Sequence, residues 1–369
     1  MHKVLIVFNH PAPYKVKLFN ELSKSIDLSV IFERDCASDR NKSFYDEKEY
    51  KFKNIKVKGI KVGHEGFVSN QVAKHIKNNK YDLIIMNGYS HQAEMKAIKY
   101  LKKHKIPYVL YINGGIIKPN ESKFRKSLKT KYISGAKYYI SPDDRSNKYL
   151  VYYGADKDKI FNYNYSTIYK SEVLPQPYSL EDKLIMRREA SISDEKVFVS
   201  CGQLIERKNY LELINVWKNL DSSYGLYIIG DGKLKPELQK FIDDNNLSNV
   251  HLLGYMKRSE MFNFYHLADA FVFPSDEDIY GHVINEAMSQ GLPVISTPNV
   301  NASQKLIKNG FNGFVVDKLE SKQFIDAVND CLRIDMSKNA IATAYENTLE
   351  IMRDEHLEII KRIIEKWMS

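Results

Sequence analysis

Residues Pro274 to Pro293 read PSDEDIYGHVINEAMSQGLP, and the order of residue types in this stretch decides the fold. An apolar run, ADAFVFP, ends at Pro274; the polar loop SDEDIY follows, then Gly281, then HVINEAMSQ, which Gly291 and Pro293 stop before a second apolar run, PVIST. Strand, loop, helix and strand in this succession form the unit of a parallel sheet. A helix opened by a glycine presents unpaired N–H groups and the positive end of its dipole. Gly281, with its neighbours Tyr280, His282 and Val283, therefore marks an anion site of a size that suits a diphosphate. Glu286, a little over one turn into the helix, would accept hydrogen bonds from ribose hydroxyls, and Asp278 would project to the other side of the phosphates. Taken singly, the two acids read equally well as an N-capping Asp and a solvated helical Glu.

Working outward, short β-branched or aromatic runs alternate with amphipathic helical stretches almost from end to end, which predicts α/β domains with parallel sheets. The pattern occurs twice. Val4–Phe8, Leu28–Phe32, Leu83–Asn87, Tyr108–Ile112 and Lys137–Ile140 are the predicted strands of the first half; Lys196–Cys201, Gly225–Ile229, Val250–Leu253, Ala270–Phe273 and Pro293–Ser296 are those of the second. YNYSTIYKSEVLPQPYSLED, with Pro175 and Pro177, suits a linker, with the boundary near 165–180. The expected organisation is residues 1–170 as a first Rossmann-like domain, 171–350 as a second, and 351–369 as a C-terminal helix closing back on the first. Two doubly wound sheets would face a cleft lined by loops at the carboxyl ends of their strands.

A chain of 369 residues has room for two such cores, and 43% hydrophobic with 27% charged residues excludes a disordered chain. Cys36, Cys201 and Cys331 are odd in number and widely spaced, which fits a reducing compartment and no disulfide framework. MHKVLIVFNHP reads as a first strand, not a signal peptide, and no stretch is long and apolar enough to span a membrane. Charge is lopsided: residues 1–170 hold 33 Lys+Arg against 16 Asp+Glu, the remainder 22 against 30. A basic first half fits either a Lys-rich solvated face or an anionic partner.

The second half resembles the large retaining GT-B glycosyltransferase family marked by Pro-Ser, then Glu, seven residues and Glu, followed by Ala-Met and Gly-x-Pro-Val. Pro274, Ser275, Gly281, Glu286, Ala287, Met288, Gly291, Pro293 and Val294 stand as that pattern requires. GQLIERKNYLELI from Gly202 is similar to the family's Gly-Arg-Leu loop ending in Lys, IIGDGKLKPELQ follows from Ile228, and the stretch from Asn249 to Ser275 matches in its turn. The resemblance implies that Arg207 and Lys208 grip the donor diphosphate, that Gly202 and Gly230 belong to the donor loops, that the base packs at Tyr255 and Met256, and that no metal or other cofactor is required. A departing nucleoside diphosphate gains negative charge, which fixed cations and backbone amides stabilise.

Three positions depart from the pattern. The first acid of the pair is Asp278, one methylene shorter than Glu, beside Glu277. Gln203 stands where the family has Arg. Asn113, followed by Gly114 and Gly115, replaces a His that touches the donor sugar in many members; an amide hydrogen-bonds a hydroxyl but is no base near neutral pH. Asp276-x-Asp278 also fits a metal-binding Asp-x-Asp, yet it precedes a phosphate-binding helix that makes a cation unnecessary. His266 and His282 are lone, and no other group has metal spacing.

In the first half, NHPAPYKVKLFNELS would present Tyr14 and Lys15 to the acceptor. KPNESKFRKSLKTKYISGAKYY sets Lys123, Arg125, Lys126, Lys129 and Lys131 around Phe124, Leu128, Tyr132 and Ile133, a basic amphipathic helix able to lie on an anionic membrane. The expected function is transfer of a hexose-type sugar from a nucleotide-diphosphate donor such as a UDP-sugar, with retention, to a hydroxyl of a glycan or lipid-linked acceptor, in polysaccharide or glycoconjugate synthesis at the inner face of the cell membrane. Alternatives are a sugar-nucleotide epimerase, a catalytically weak homologue that binds a sugar nucleotide and supports a partner transferase, and a nucleic-acid binder; the last leaves Pro274 to Pro293 without a role.

Overall fold

Two parallel sheets organise the chain in its computed structural model, which describes residues 1–36, 49–62 and 66–368. The first unit holds strands β1 (Lys3–Phe8), β2 (Asp27–Phe32), β3 (Lys53–Lys56), β6 (Leu83–Asn87), β7 (Val109–Tyr111), β8 (Tyr138–Ser141) and β9 (Ile160–Asn162), in the spatial order β3-β2-β1-β6-β7-β8-β9, every neighbouring pair parallel. A small antiparallel pair, β4 (Ile60–Val62) and β5 (Gly66–Val68), sits apart from the sheet. The second unit holds β10 (Lys196–Cys201), β11 (Tyr224–Ile229), β12 (Val250–Gly254), β13 (Ala270–Phe273), β14 (Val294–Ser296) and β15 (Gly313–Val315), ordered β12-β11-β10-β13-β14-β15 and again all parallel.

Helices cover both faces of each sheet, so the central strands are buried throughout. LIIM of β6 and AFVF of β13 are continuous apolar runs because neither face meets water. Trp217, Phe198, Leu226 and Phe324 anchor the core of the second unit; Leu110, Tyr139, Ile98 and Leu101 anchor that of the first. In both sheets the strand order reverses beside the first strand of the unit, between β1 and β6 and between β10 and β13. Ligands bind at the carboxyl ends of strands at such a reversal.

Strands β3, β9 and β15 escape a reading based on apolar runs. KNIK, IFN and GFV are short edge strands with half-exposed residues, and an edge needs little apolar surface to pair on one side. The units divide at residues 165 and 166, and the chain re-enters the first unit at Leu349. The helical region near the C-terminus is broken between Ser337–Tyr345, which belongs to the second unit, and Leu349–Met368, which belongs to the first. Asn347 supplies the break, its amide bonding back to Thr343 O at 2.8 Å while its own carbonyl accepts from Asn285 at 2.7 Å.

Glu355 on the last helix accepts from the N–H and amide of Asn164, at 2.5 and 3.1 Å. His356 is fully enclosed: Nδ1 lies 2.6 Å from Met352 O and so carries the proton, and Nε2 faces Tyr111 Oη at 3.3 Å. Burial, and then the neighbouring Lys15 charge, push the imidazole from 6.5 to about 3. Between these values the unfolded chain binds the proton and the folded one does not, so the first unit is fully supported above pH 6.5 and loses stability as pH falls toward 3. At pH 5 the loss is about 2 kcal/mol. His356→Gln should flatten the fall in melting temperature between pH 7 and 5; an unchanged slope assigns the acid sensitivity to other groups.

Candidate donor-binding site

The site grows from two loops of the second unit that leave β10 and β13 beside the strand-order reversal. After β10 the chain makes a tight turn at Glu206–Lys208 and passes through Asn209 with left-handed backbone before the helix Tyr210–Trp217. The loop after β13 is bonded onto this turn: Ser275 Oγ and the Asp276 N–H both donate to Arg207 O, at 3.0 and 2.9 Å, and Arg207 Nη1 donates to Glu277 O at 3.0 Å. Ser275 is fully buried, and a serine here satisfies carbonyls that would otherwise be orphaned.

Within this frame the buried Lys208 forms an ion pair with the partly buried Asp278, with Lys208 Nζ also 4.5 Å from the centre of the Phe273 ring. The second oxygen of Asp278 accepts from the Tyr280 N–H at 3.1 Å, and Arg207 lies 3.9 Å away with its guanidinium half-exposed. Burial by itself would raise the Asp278 carboxyl; the Lys208 charge and hydrogen bond, the Tyr280 N–H and Arg207 outweigh it and hold the group below its ordinary value. Asp276 behaves oppositely: burial, then the charge of Glu212, raises it, while its contact is the Asn209 amide at 3.1 Å. Asp276 and Asp278 thus have different partners.

Gly281 has φ +93°, and a Cβ there would come within 2.4 Å of Val300 Cγ1, so the helix His282–Ser289 can start at this point only with glycine. Tyr280 is buried, and His282 and Val283 are the first residues of the helix. Glu286 lies on the buried side of that helix instead of being solvated. Its Oε1 accepts from Thr167 Oγ1 at 2.9 Å and from Arg258 Nη1 at 2.8 Å, and Arg258 Nε reaches Glu172 at 3.2 Å while its guanidinium covers the Phe262 ring. The sequence reading missed Thr167, Glu172 and Arg258. No motif marks them, because they come from the segment entering the unit and from the helix Arg258–Leu267, both brought to Glu286 by the sheet.

Gly202 and Gly230 have a packing role. The Gly202 N–H donates to Ile229 O at 3.0 Å, the Gly230 N–H to Gly254 O at 2.8 Å, and a Cβ on Gly230 would stand 1.9 Å from the carbonyl oxygen of Gly202. Tyr255, exposed, and Met256, half-buried, follow Gly254, which turns with φ +78°.

The first-unit candidates stand in different surroundings. Asn113 follows β7; its amide donates to Asn87 Oδ1 at 3.3 Å and its own buried oxygen has no hydrogen-bond partner. Tyr14 packs edge-on against Tyr165. Lys15 does not face outward toward an acceptor. It is fully buried, Nζ donating to Tyr111 Oη at 2.7 Å and lying 4.2 and 4.7 Å from the ring centres of Tyr165 and Tyr111, and burial holds its amine well below the ordinary lysine value. The Ala12-Pro13 turn starts the helix Pro13–Leu22 with Lys15 on its inner face. The basic helix Lys123–Ile133 also differs from its amphipathic reading. Tyr132 and Ile133 belong to the core, Leu128 packs against it, and Lys129 pairs with Glu121 at 2.6 Å, so of that apolar set Phe124 alone stands out in solvent. Among the described residues no helix is long and apolar enough to cross a membrane.

Residues 182–347 match the family model of glycosyl transferases group 1. An uncharacterized glycosyltransferase of Methanocaldococcus jannaschii is 27% identical over 340 residues, covering 80% of each chain. The UDP-Gal:alpha-D-GlcNAc-diphosphoundecaprenol alpha-1,3-galactosyltransferase of Escherichia coli is 28% identical over 295 residues, 72% of this chain and 71% of that one. Among solved structures, Anabaena Alr3699/HepE in complex with UDP aligns with a TM-score of 0.78 at 18% identity, covering 98% of this chain and 100% of that chain. With two Rossmann-like parallel-sheet units matching that structure along almost its whole length, the chain has the GT-B fold, and residues 182–347 are similar to the glycosyl transferases group 1 family.

Proposed function

We propose that this chain transfers a sugar from a nucleotide-diphosphate donor to a hydroxyl of a glycan or lipid-linked glycan, with retention of configuration, in the building of cell-surface polysaccharide or glycoconjugate. The observation that carries the reading is the Lys208–Asp278 pair set beside the glycine-opened helix His282–Ser289, with Arg207 half-exposed next to it. Cations and a helix N-terminus on adjoining loops are the arrangement that stabilises a departing diphosphate, and they do so without a divalent cation. Glu286 has Oε1 taken up by Thr167 and Arg258, so Oε2 is the atom assigned to a ribose hydroxyl. Asp278 is assigned to a sugar hydroxyl, and no protein nucleophile is invoked. The UDP bound by Alr3699/HepE and the UDP-Gal named for the E. coli relative support a uridine nucleotide as the donor class.

Melting the protein with UDP-, GDP-, ADP- and dTDP-sugars tests the reading, because a ligand that binds only the folded chain raises the melting temperature. A UDP-sugar is expected to raise it by several degrees, and Glu286→Ala to reduce that shift most of the way to zero while leaving the ligand-free melting temperature within a few degrees. No shift with any of the four removes the donor reading.

We also propose that the first unit rests on an anionic membrane surface. Phe124, Ile117, Val151 and Tyr152 are exposed apolar groups, and Lys126 lies 4.0 Å from the centre of the Tyr152 ring, which sets a cation beside an exposed aromatic side chain. Sedimentation with vesicles containing anionic lipid should fall about tenfold for Phe124→Asp and fall again when salt is raised. Equal binding to neutral vesicles sinks this part.

A further inference from the structure

Outside the donor loops, the first unit contains a buried group of metal-ligating side chains that sugar transfer as described above does not use. Glu33, directly after β2, and His91 and Glu94, at the start of the helix Gln92–Lys103, place their ligand atoms all within 4.8 Å of one another. All three are buried, the Glu33 side chain completely. We propose that Glu33, His91 and Glu94 bind a first-row divalent cation such as zinc, tying the loop after β2 to the helix that follows β6.

Four observations carry this. First, neither oxygen of Glu33 has a hydrogen-bond donor, although the side chain is out of contact with water. A carboxylate in that condition needs a compensating positive charge. Second, His91 Nδ1 lies 2.8 Å from Glu33 Oε2, yet the two do not meet the geometry of a hydrogen bond. Two ligands each about 2.1 Å from one ion stand roughly 3 Å apart at right angles and about 3.4 Å apart in a tetrahedron, so a small outward turn of either side chain would admit the ion. Third, Glu94 is pre-oriented. Its Oε2 accepts the His91 N–H at 3.2 Å as a helix cap, which leaves Oε1 bare and buried. Bonds of this sort hold ligating carboxylates in place in metal sites. Fourth, Arg34, whose charge reaches Glu94, has a buried Nε with no partner, so it does not satisfy the carboxylates through that atom. Two carboxylates and an imidazole form a mixed oxygen and nitrogen set that suits zinc or manganese better than calcium or magnesium. Three protein ligands leave positions open for water or another oxygen ligand.

β1 lies between β2 and β6 in the sheet, so the ion would bridge the loops on either side of the strand-order reversal. No sequence spacing announces it, because strands β3 to β6 and the helix Gln71–Asn78 lie between Glu33 and His91 along the chain.

The test is metal content. Full-length protein stripped with chelator, loaded with zinc and desalted should retain about one equivalent by mass spectrometry, with a melting temperature raised by several degrees. Glu33→Gln keeps the shape and removes a ligand charge, and His91→Gln removes the nitrogen; each should weaken zinc binding at least tenfold. Circular dichroism of the metal-free variants separates loss of binding from loss of folding. Substoichiometric zinc and manganese with no change in melting overturns the proposal and makes the cluster a proton-sharing group, as does zinc retained equally by both variants. The readout is independent of nucleotide binding, so it fails or stands separately from the donor assignment.

Discussion

Lys208→Met is expected to lower sugar transfer by a factor of roughly 10²–10³, the scale of losing one preorganised charge that acts on a developing anion. It should also cost roughly 1–2 kcal/mol of folding stability, because the partly buried Asp278 would lose its charged partner and keep only the Tyr280 N–H and the more distant Arg207. Methionine keeps the apolar stem over Phe273, so the change isolates the charge. The double variant Lys208→Met/Asp278→Asn should recover most of the stability and none of the turnover, since an amide needs no counter-charge while the diphosphate still lacks its cation. Turnover in Lys208→Met within threefold of the parent would remove Lys208 from the donor site. The pair also sets an acid limit. The folded Asp278 carboxyl lies below its ordinary 3.8, so its contribution is complete at neutral pH and is lost as pH falls through the folded value, below about pH 4.

Gly230→Ala is expected to destabilise the second unit by more than about 3 kcal/mol, lowering the melting temperature by roughly 10 °C in a unit of this size. A methyl group at this position would stand 1.9 Å from the Gly202 carbonyl oxygen on backbone whose φ is +147°, and both strands carrying these glycines are central to the sheet. Gly310→Ala is the control: φ is +74° there, but nothing lies within 4 Å, so only the left-handed backbone penalty of about 1 kcal/mol applies. Equal losses at the two positions would show that backbone conformation, not close approach of the loops, sets the cost at Gly230. Chemical denaturation of both variants decides between them.

The two glycines show how a motif position changes meaning once the chain is folded. In the sequence, Gly202 and Gly230 stand where the family's donor loops stand. In the structure they let the ends of β10 and β11 touch, and any effect of their replacement on nucleotide binding passes through that contact. Lys15 is the reverse case. A lysine in the first turn after a Pro-containing loop reads as exposed, yet helical periodicity places it on the same face as Val16, Phe19 and Leu22, which are all buried. The aromatic rings around it come from β7 and from residues 163 and 165, distances along the chain that no local pattern links.

By itself the sequence determined the doubly wound class, the two units and the glycine-opened helix after β13, because each depends on short-range order: apolar runs the length of a buried strand, a helical period between them, and a glycine where a helix must begin. Its strand readings agree with the structure wherever both faces are covered, and miss β3, β9 and β15, where one side is an edge. Tertiary structure alone decided which charges are paired. Lys208 meets Asp278 across 70 residues, Arg258 and Thr167 converge on Glu286, and Glu33 meets His91 and Glu94. Such pairings follow strand order, and strand order in a parallel sheet is set by crossovers that leave no local trace in the chain. The stretch from Pro274 to Pro293 was therefore legible as a loop and a helix start, while the partners that fix its acids became visible only in the fold.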